Sequence, residues 1–356
     1  MANCGFDVDF FIDEFSGDRE YQGKKIYRID EVSDKGNVRV FLSIMAILPF
    51  SMNDQITLIE GLREQGFVDI VPASKIQSMF GAIGYEDDCD YGRYLDKFYD
   101  FIKFYEKPNE NENIDWLRGN LADPQSVAIL DRVLEFRADV KKGPLLGLHE
   151  QTTQYFPHSV DIFRGINKLR FVDCGAADGD TIRDIMRYSI VPIHYIASFE
   201  PEFEMFSRLQ TVIRQYSNRF PRTSFVTYSA GVWSNNGFCY LSKFEDNCST
   251  VSMDVDCGSA IPVLSLDSTL SSNPPNFIKM DIEGAEEQAL LGAEKIIRQY
   301  HPTLAISIYH RHDDLWRLPQ LIRNFYPDYE LYIRHHFWGP WETVLYCVAP
   351  NGPEIK

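Results

Sequence analysis

From about residue 165 to the end of the chain, short apolar runs alternate with stretches of helical periodicity. This rhythm constrains the fold more than any other feature, because parallel strands cannot be joined by tight turns and need a helical crossover. LRFVDC (169–174) reads as a strand, TIRDIMRYS as a helix and HYIASFE (194–200) as a strand. EFEMFSRLQTVIRQY is a helix with Phe203, Phe206, Leu209 and Ile213 on one stripe. TSFVTYSAGVW (223–233), FIKMDIE (277–283) and TLAISIYH (303–310) continue the strands, with AEEQALLGAEKIIRQY and LPQLIRNFY as later helices. FCYLSKF (238–244) reads as a side hairpin, and YELYIRHH (329–336) and TVLYCVA (343–349) close the pattern. The order predicts an α/β domain whose seven-stranded sheet is parallel and covered on both faces, with the last strand antiparallel.

The N-terminal part is organised differently. At about 100–200 residues per domain, 356 residues predict more than one domain. VRVFLSIMAIL (38–48), MNDQITLIEGLREQG (52–66) and FVDIV (67–71) read as one β-α-β unit, the helix stopped by Gly66. This gives a small α/β lobe over 1–80, whose use is packing or the binding of a nucleotide or sugar. Residues 81–160 are a helical region and linker. There YGRYLDKFYDFIKFYE aligns Tyr94, Phe98, Phe101 and Tyr105, a stripe suited to core packing. PQSVAILDRVLEFRADV starts a second helix behind Asp123 as N-cap, with Pro124 in the first turn. The polar stretch 142–157 leads into the sheet domain over 161–356. The sequence contains neither an internal repeat nor a low-complexity tract.

Charge and composition exclude several roles. The chain carries 35 Lys+Arg against 52 Asp+Glu, a net −17, and such a field repels nucleic-acid backbones and anionic lipid. The acidic N-terminus lacks the positive charge of a signal peptide, and the longest apolar stretch, 40–50, is far short of the roughly 20 residues that span a bilayer. Seven cysteines form an odd set without a CxxC pair, which fits free thiols in a reducing cytoplasm. Neither a nucleic-acid partner nor a membrane span is therefore expected, and the chain is expected in the cytoplasm.

The sharpest local signal is FVDCGAADGDT (171–181). A buried strand ends in Asp173, and a turn with Gly175 and Gly179 then opens a helix. Glycines permit close approach of backbone to ligand, and the turn lies where such sheets bind ligands. Asp173 is placed to receive the ammonium of an amino-acid-like ligand. A dinucleotide is a poorer match, since G-x-G-x-x-G is missing and Asp178 and Asp180 would repel phosphate at the helix start. The next strand ends in SFEPE, so Glu200 is placed to accept from a ribose diol, or else to cap the helix after Pro201. Adenosine with a cationic amino-acid tail describes S-adenosylmethionine.

Together FVDCGAADGDT, SFEPEFEMFSRL, AGVWS, VLSLDSTL, FIKMDIEGAEEQALLGAEKIIRQYHPTLAISIYH and the terminal YELYIRHH…ETVLYCVAP resemble the FkbM-type S-adenosylmethionine-dependent methyltransferases, over roughly residues 165–350. The resemblance implies a class I methyltransferase-like (Rossmann-like) sheet and O-methylation of a hydroxyl on a sugar, glycan or glycosylated metabolite. It implies a cofactor cradle of Asp173, Gly175, Gly179 and Glu200, completed by Ala176, Asp178, Asp180, Thr181 and Pro201. Many members have GAN-x-G where this chain has GAADG (175–179), so Asp178 would replace the contact of the missing Asn.

KMDIEGAE (279–286) and the histidines supply the candidate chemistry. On a strand Lys279, Asp281 and Glu283 alternate to one side, and Asp281 would emerge facing the transferred methyl. His310 and His312 follow the fifth strand; His335 and His336 end the next. Histidine titrates at about 6.5, suited to taking a hydroxyl proton. Asp281, His310 and His335 are thus the candidate catalytic residues, with Arg311 or Arg334 steadying a charged acceptor. No metal-ligand spacing is diagnostic, so none is assigned. Two other readings stay open from the residues: a nicotinamide-dependent oxidoreductase on the same topology, and a non-catalytic binding protein.

Overall fold

The computed structural model describes residues 9–12, 20–21, 23–41, 62–71, 112–138, 154–243, 249–252, 259–336 and 341–355. The chain divides into two compact units, Met1–Asp96 with Asp139–Pro144, and Lys97–Ala138 with Leu145–Lys356.

In the first unit Arg39–Phe41 and Asp69–Val71 pair in parallel, Val40 opposite Ile70. A parallel pair is what the β-α-β reading requires. Residues 62–64 of its helix are described and helical. Leu62 and Phe67 are buried with Val32 and Val40 in a small core of their own. The rest of the strand read over 38–48 and of the helix read over 52–66, like the aromatic stripe of Tyr94, Phe98, Phe101 and Tyr105, lies outside the described residues. A further three-stranded sheet is built from Phe11–Ile12, Glu20–Tyr21 and Lys24–Tyr27, a polar segment that carries no clear periodicity.

The second unit holds the predicted sheet. Its strands are β1 (Leu169–Cys174), β2 (Ile193–Phe199), β3 (Ser224–Tyr228), β4 (Phe277–Met280), β5 (Thr303–Ser307), β6 (Glu330–His335) and β7 (Thr343–Val348). Its helices are α1 (Glu112–Asn120), α2 (Pro124–Ala138), α3 (Asp180–Tyr188), α4 (Phe203–Arg219), α5 (Glu286–Leu291), α6 (Glu294–Tyr300) and α7 (Asp314–Phe325). The strand order is β6–β7–β5–β4–β1–β2–β3, and β7 runs antiparallel to both of its neighbours. The expected seven-stranded α/β sheet with an antiparallel last strand is therefore present. Every residue of β4, β5 and β7 is buried, as befits strands covered on both faces. One side of the sheet is filled by edge-on phenylalanines, with Phe171 and Phe277 5.4 Å apart and Phe156 against both.

Three local differences from the sequence reading have physical causes. The strand read over 223–233 is two pieces: β3 ends at Tyr228, and Gly231–Val232 joins a separate sheet with Gly237–Lys243, Ser249–Ser252 and Ser259–Leu264. The helix read over 285–300 breaks between α5 and α6. Gly292 sits against the carbonyl of Trp233, where any Cβ would collide. The Asp267 carboxylate then restarts the helix, accepting from the Lys295 and Ile296 amides at 3.0 and 2.9 Å. The strand read over 277–283 stops at Met280, because Glu283 takes a left-handed φ of 55° and turns the chain away.

Helix α2 begins where the sequence places it, Pro124 following Asp123, whose Oδ1 accepts the Ser126 amide at 2.7 Å. It packs on β6, the outermost strand. The β6 backbone there is paired: the Ala122 amide donates to the Leu331 carbonyl at 2.8 Å, and the Ile333 amide donates to Ser126 Oγ at 2.9 Å. An edge strand covered in this way is no template for association. Fully buried Arg334 ties the joint, 2.6 Å from Asp123 Oδ2, 2.8 Å from Ser126 Oγ and 2.6 Å from Ser159 Oγ. Among the described residues no helix is long and apolar enough to cross a membrane, and Cys174, Cys239 and Cys347 are buried free thiols.

Candidate functional site

The carboxyl ends of β1, β2 and β4 open on one cleft of about 190 Å³, at the switch point where a sheet of this order binds ligands. Backbone geometry builds its floor. Gly175 follows β1 at φ 80°, and a side chain there would overlap the carbonyl oxygen of Asp281 at the end of β4. The Gly175 and Ala176 amides both donate to the Phe199 carbonyl of β2, so the turn is clamped between the two neighbouring strands. Gly175, Asp180, Thr181, Glu200 and Pro201 line the cleft on one side, and Lys279, Asp281 and Glu283 on the other.

Buried charge decides what the cleft can accept. Asp173 is fully buried beneath it, 3.0 Å from Nζ of Lys279. Burial pushes the Asp173 carboxyl up to about 6, against the opposing pull of Lys279. Its Oδ2 has no hydrogen-bond partner. Lys279 also donates to the Gly175 carbonyl at 2.6 Å and lies 5.0 Å from the Tyr155 ring centroid. Burial disfavours its charge, but Asp173, Asp281 and Asp180 outweigh that and hold it protonated. Glu200 is 7% exposed, and burial raises its pKa. Its two oxygens accept the Ala177 and Glu202 amides at 2.9 and 2.8 Å. Glu200 therefore ties the glycine turn to the start of α4 and still has lone pairs for a ligand. Cleft-lining Asp180, Glu200, Glu202, Asp281 and Glu283 face a single Lys279, a balance that suits a cation.

Asp281 is the hub of the other end. Its Oδ2 accepts from the Tyr155 hydroxyl at 2.6 Å and its Oδ1 from the Tyr309 hydroxyl at 3.2 Å. Burial alone would raise its pKa, but His310, Lys279 and the Tyr155 hydrogen bond hold the carboxyl below its ordinary value. His310 stands behind it, Nε2 3.4 Å from Asp281 Oδ1 and 3.5 Å from Glu283 Oε2, with Nδ1 2.9 Å from Glu286 Oε1. Burial disfavours the imidazolium, yet Glu286, Asp281 and Glu283 prevail and push His310 up to about 10. Nearby Glu342 is raised by burial and by the Asp281 charge. At neutral pH the hub thus pairs a carboxylate with an imidazolium, rather than presenting a neutral base.

The remaining predicted residues fall around this frame. Asp173 lies under the cleft and Ala176 is buried against β2. Asp178 holds Arg183 with both carboxylate oxygens, at 2.8 and 2.9 Å, and Gly179 packs under Leu209 and Val212 of α4. None of these four lines the cleft. His335 is sealed with Nδ1 2.9 Å from Thr343 Oγ1, and His336 Nε2 is 2.8 Å from the Tyr346 hydroxyl. Arg334 is held by Asp123 and Ser126, whereas Arg311 is exposed. Sequence reasoning missed Tyr155, Tyr309 and Glu286. Tyr155 lies in a stretch read as linker and reaches Asp281 across 126 positions, so only the fold reveals it. Glu286 had a local signal, standing in the same acidic turn as Asp281 and Glu283.

Residues 173–335 match the family of the methyltransferase FkbM domain. The resemblance drawn from the sequence is thereby borne out. A crystal structure of methyltransferase FkbM from Methylobacillus flagellatus KT is similar at 24% sequence identity and a TM-score of 0.61, over 96% of this chain and 83% of that one. That likeness supports the fold. Fibrillarin from Aeropyrum pernix, solved in complex with natively bound S-adenosyl-L-methionine, matches at 13% identity and a TM-score of 0.34, over 53% of this chain and 69% of that one. No curated protein matches the sequence.

Proposed function

We propose, from the premise that residues 173–335 of this chain match the methyltransferase FkbM domain, that the protein carries a methyl group from S-adenosylmethionine to a hydroxyl of a sugar, glycan or glycosylated metabolite. One observation carries the reading: an acid-rich cleft at the ends of β1, β2 and β4, with Glu200 on one wall and Asp281 on the other. The residues fit a sulfonium nucleoside. The acids outnumber Lys279, and the Asp173 carboxylate buried beneath the cleft, its Oδ2 without a donor, adds to the field that draws a ligand ammonium.

When bound, the cofactor supplies an electrophilic methyl on a positively charged sulfur. Glu200 accepts from the ribose hydroxyls with the lone pairs its backbone bonds leave free. Asp173 draws the amino-acid end, and Lys279 fixes the Gly175 carbonyl and keeps the buried charge balanced. Gly175, Ala176, Asp178, Gly179, Asp180, Thr181 and Pro201 set the shape of the cradle. Asp281 receives the acceptor hydroxyl, aligned by Tyr155 and Tyr309. Its depressed pKa makes it a weak base, so most of the rate comes from holding the oxygen in line with the methyl, and the proton moves late. His310 stabilises the Asp281 carboxylate from behind, while His335 holds the end of β6. Among charged groups near the acceptor end, Arg311 is free to meet an anionic substituent. The acceptor class and a cytoplasmic setting rest on the family resemblance and the cysteine pattern.

Calorimetry with S-adenosylhomocysteine tests the cradle. Glu200→Ala should weaken binding at least tenfold, about 1.4 kcal/mol. Asp281→Asn should leave that affinity in place and lower methyl transfer to a sugar panel by about 10²–10⁴. Wild-type protein that fails to bind S-adenosylhomocysteine, or Glu200→Ala that binds it equally well, would discard the assignment.

A further inference from the structure

The side chains behind Asp281 form a second arrangement that methyl transfer does not require. Asp281, Glu286 and His310 each present one ligand atom, all within 4.8 Å of one another. A cluster of acids alone would mean little, since carboxylates gather wherever water reaches them. Two facts set this one apart. Glu286 is 1% exposed, and its Oε2 has no hydrogen-bond partner. The His310 side chain is 8% exposed, and neither ring nitrogen makes a hydrogen bond of sound geometry despite the 2.9 Å approach of Nδ1 to Glu286. Buried polar atoms normally find partners, so a buried carboxylate oxygen and an imidazole that both lack sound hydrogen bonds call for a ligand.

We infer that Asp281, Glu286 and His310 form a binding site for a single divalent transition-metal cation, which takes the place of the proton on His310 and releases it to solvent on binding. Ligands about 2.0–2.2 Å from an ion stand about 3–3.4 Å apart. The 3.4 Å between His310 Nε2 and Asp281 Oδ1 already meets that spacing. Glu283 Oε2, 3.5 Å from the same nitrogen, is the next donor within reach. An imidazole with carboxylates selects Mn²⁺, Fe²⁺ or Zn²⁺ over Mg²⁺ and Ca²⁺, which prefer oxygen alone. The supporting shell is preorganised. Glu286 Oε1 accepts the Ile282 amide at 2.9 Å, and the Tyr155 and Tyr309 hydroxyls orient Asp281. The ion would be coordinated by Asp281, a cleft-lining residue, and would therefore sit at the acceptor end, opposite the proposed nucleoside cradle. Its binding does not depend on the methyl-transfer reading.

The test uses full-length protein treated with a chelator and then titrated with Mn²⁺ alone, without cofactor, following the electron paramagnetic resonance signal of the free ion. One ion per chain should bind, Zn²⁺ should displace it, and Mg²⁺ in equal amount should not. His310→Ala and Glu286→Gln should each weaken binding at least tenfold. Glu287→Gln, one residue along and paired with Arg317, should leave it unchanged. Thermal melts control for folding: Mn²⁺ should raise the midpoint of the wild type and of Glu287→Gln but not of His310→Ala. Absence of binding at millimolar Mn²⁺, or binding that His310→Ala and Glu286→Gln both leave intact, would overturn the site. S-adenosylhomocysteine binding measured on the metal-free protein reports on the cradle separately, so either idea can fail alone.

Discussion

Two ion pairs are anchored on the same sheet, one at its edge and one at its centre, and they differ in how completely they are answered. At the outer edge Arg334 meets Asp123, and its guanidinium also reaches Ser126 and Ser159, so every part of that joint is answered. At the centre Lys279 meets Asp173, but the acid keeps one oxygen without a donor, directly below the cleft. Burying charge is costly unless partners satisfy it, so a complete network is what a fastening requires. An incomplete one beneath a cleft leaves a buried charge only partly answered, and on the proposed reading that charge favours a cation in the cleft above. The difference separates a pair that fastens the edge of the sheet from one that, in the proposed function, serves the cofactor.

Breaking the edge pair gives the largest expected effect. Arg334→Ala takes the guanidinium away from Asp123 and from the Ser126 and Ser159 hydroxyls and should cost about 3 kcal/mol in urea denaturation. A loss under about 1 kcal/mol, the usual worth of an exposed pair, would erase the contrast. Next comes the central pair. Asp173→Asn keeps the shape and removes the charge, and should weaken S-adenosylhomocysteine at least tenfold, about 1.4 kcal/mol, by calorimetry. Equal affinity would mean that the open oxygen serves no ligand.

The same substitution has a signature in pH. Asp173 titrates at about 6 when folded and at an ordinary 3.8 otherwise, chiefly because it is buried. Between those values the folded state keeps a proton that the unfolded state has released. The contribution of Asp173 to stability is therefore most favourable below 3.8, declines as pH rises through the window, and is constant above about 6. Subtracting the Asp173→Asn melting curve from the wild type should expose that downward slope, and a flat difference would contradict it. The smallest effect is at Ser126. Its loss leaves the Ile333 amide without its acceptor and should cost about 1 kcal/mol on Ser126→Ala, with no change in cofactor affinity.

The two pairs also differ in how far the sequence discloses them. Asp123 is legible as a helix cap before Pro124, and Asp173 as the acid that ends the first strand of the alternating pattern. Both are local signals, carried by neighbours in the chain. Their partners are not local: Arg334 is 211 positions from Asp123, and Lys279 reaches Asp173 from β4. Periodicity places strands well when they are buried on both faces, which is why β4, β5 and β7 were plain. It cannot see an amide claimed by a distant carboxylate, as when Asp267 restarts α6, nor a backbone contact such as Gly292 against Trp233. Gly175 is the instructive case. Its glycine signalled close approach, but the approaching group is the chain's own Asp281 carbonyl.

That contact has a mechanical consequence. If the proposed function holds, the segment cradling one reactant and the segment presenting the other abut through main-chain atoms, with no side chain as spacer between them. The gap across which a group is handed over is then a fixed length of the scaffold. Loops that choose the recipient can change their side chains without retuning the transfer distance.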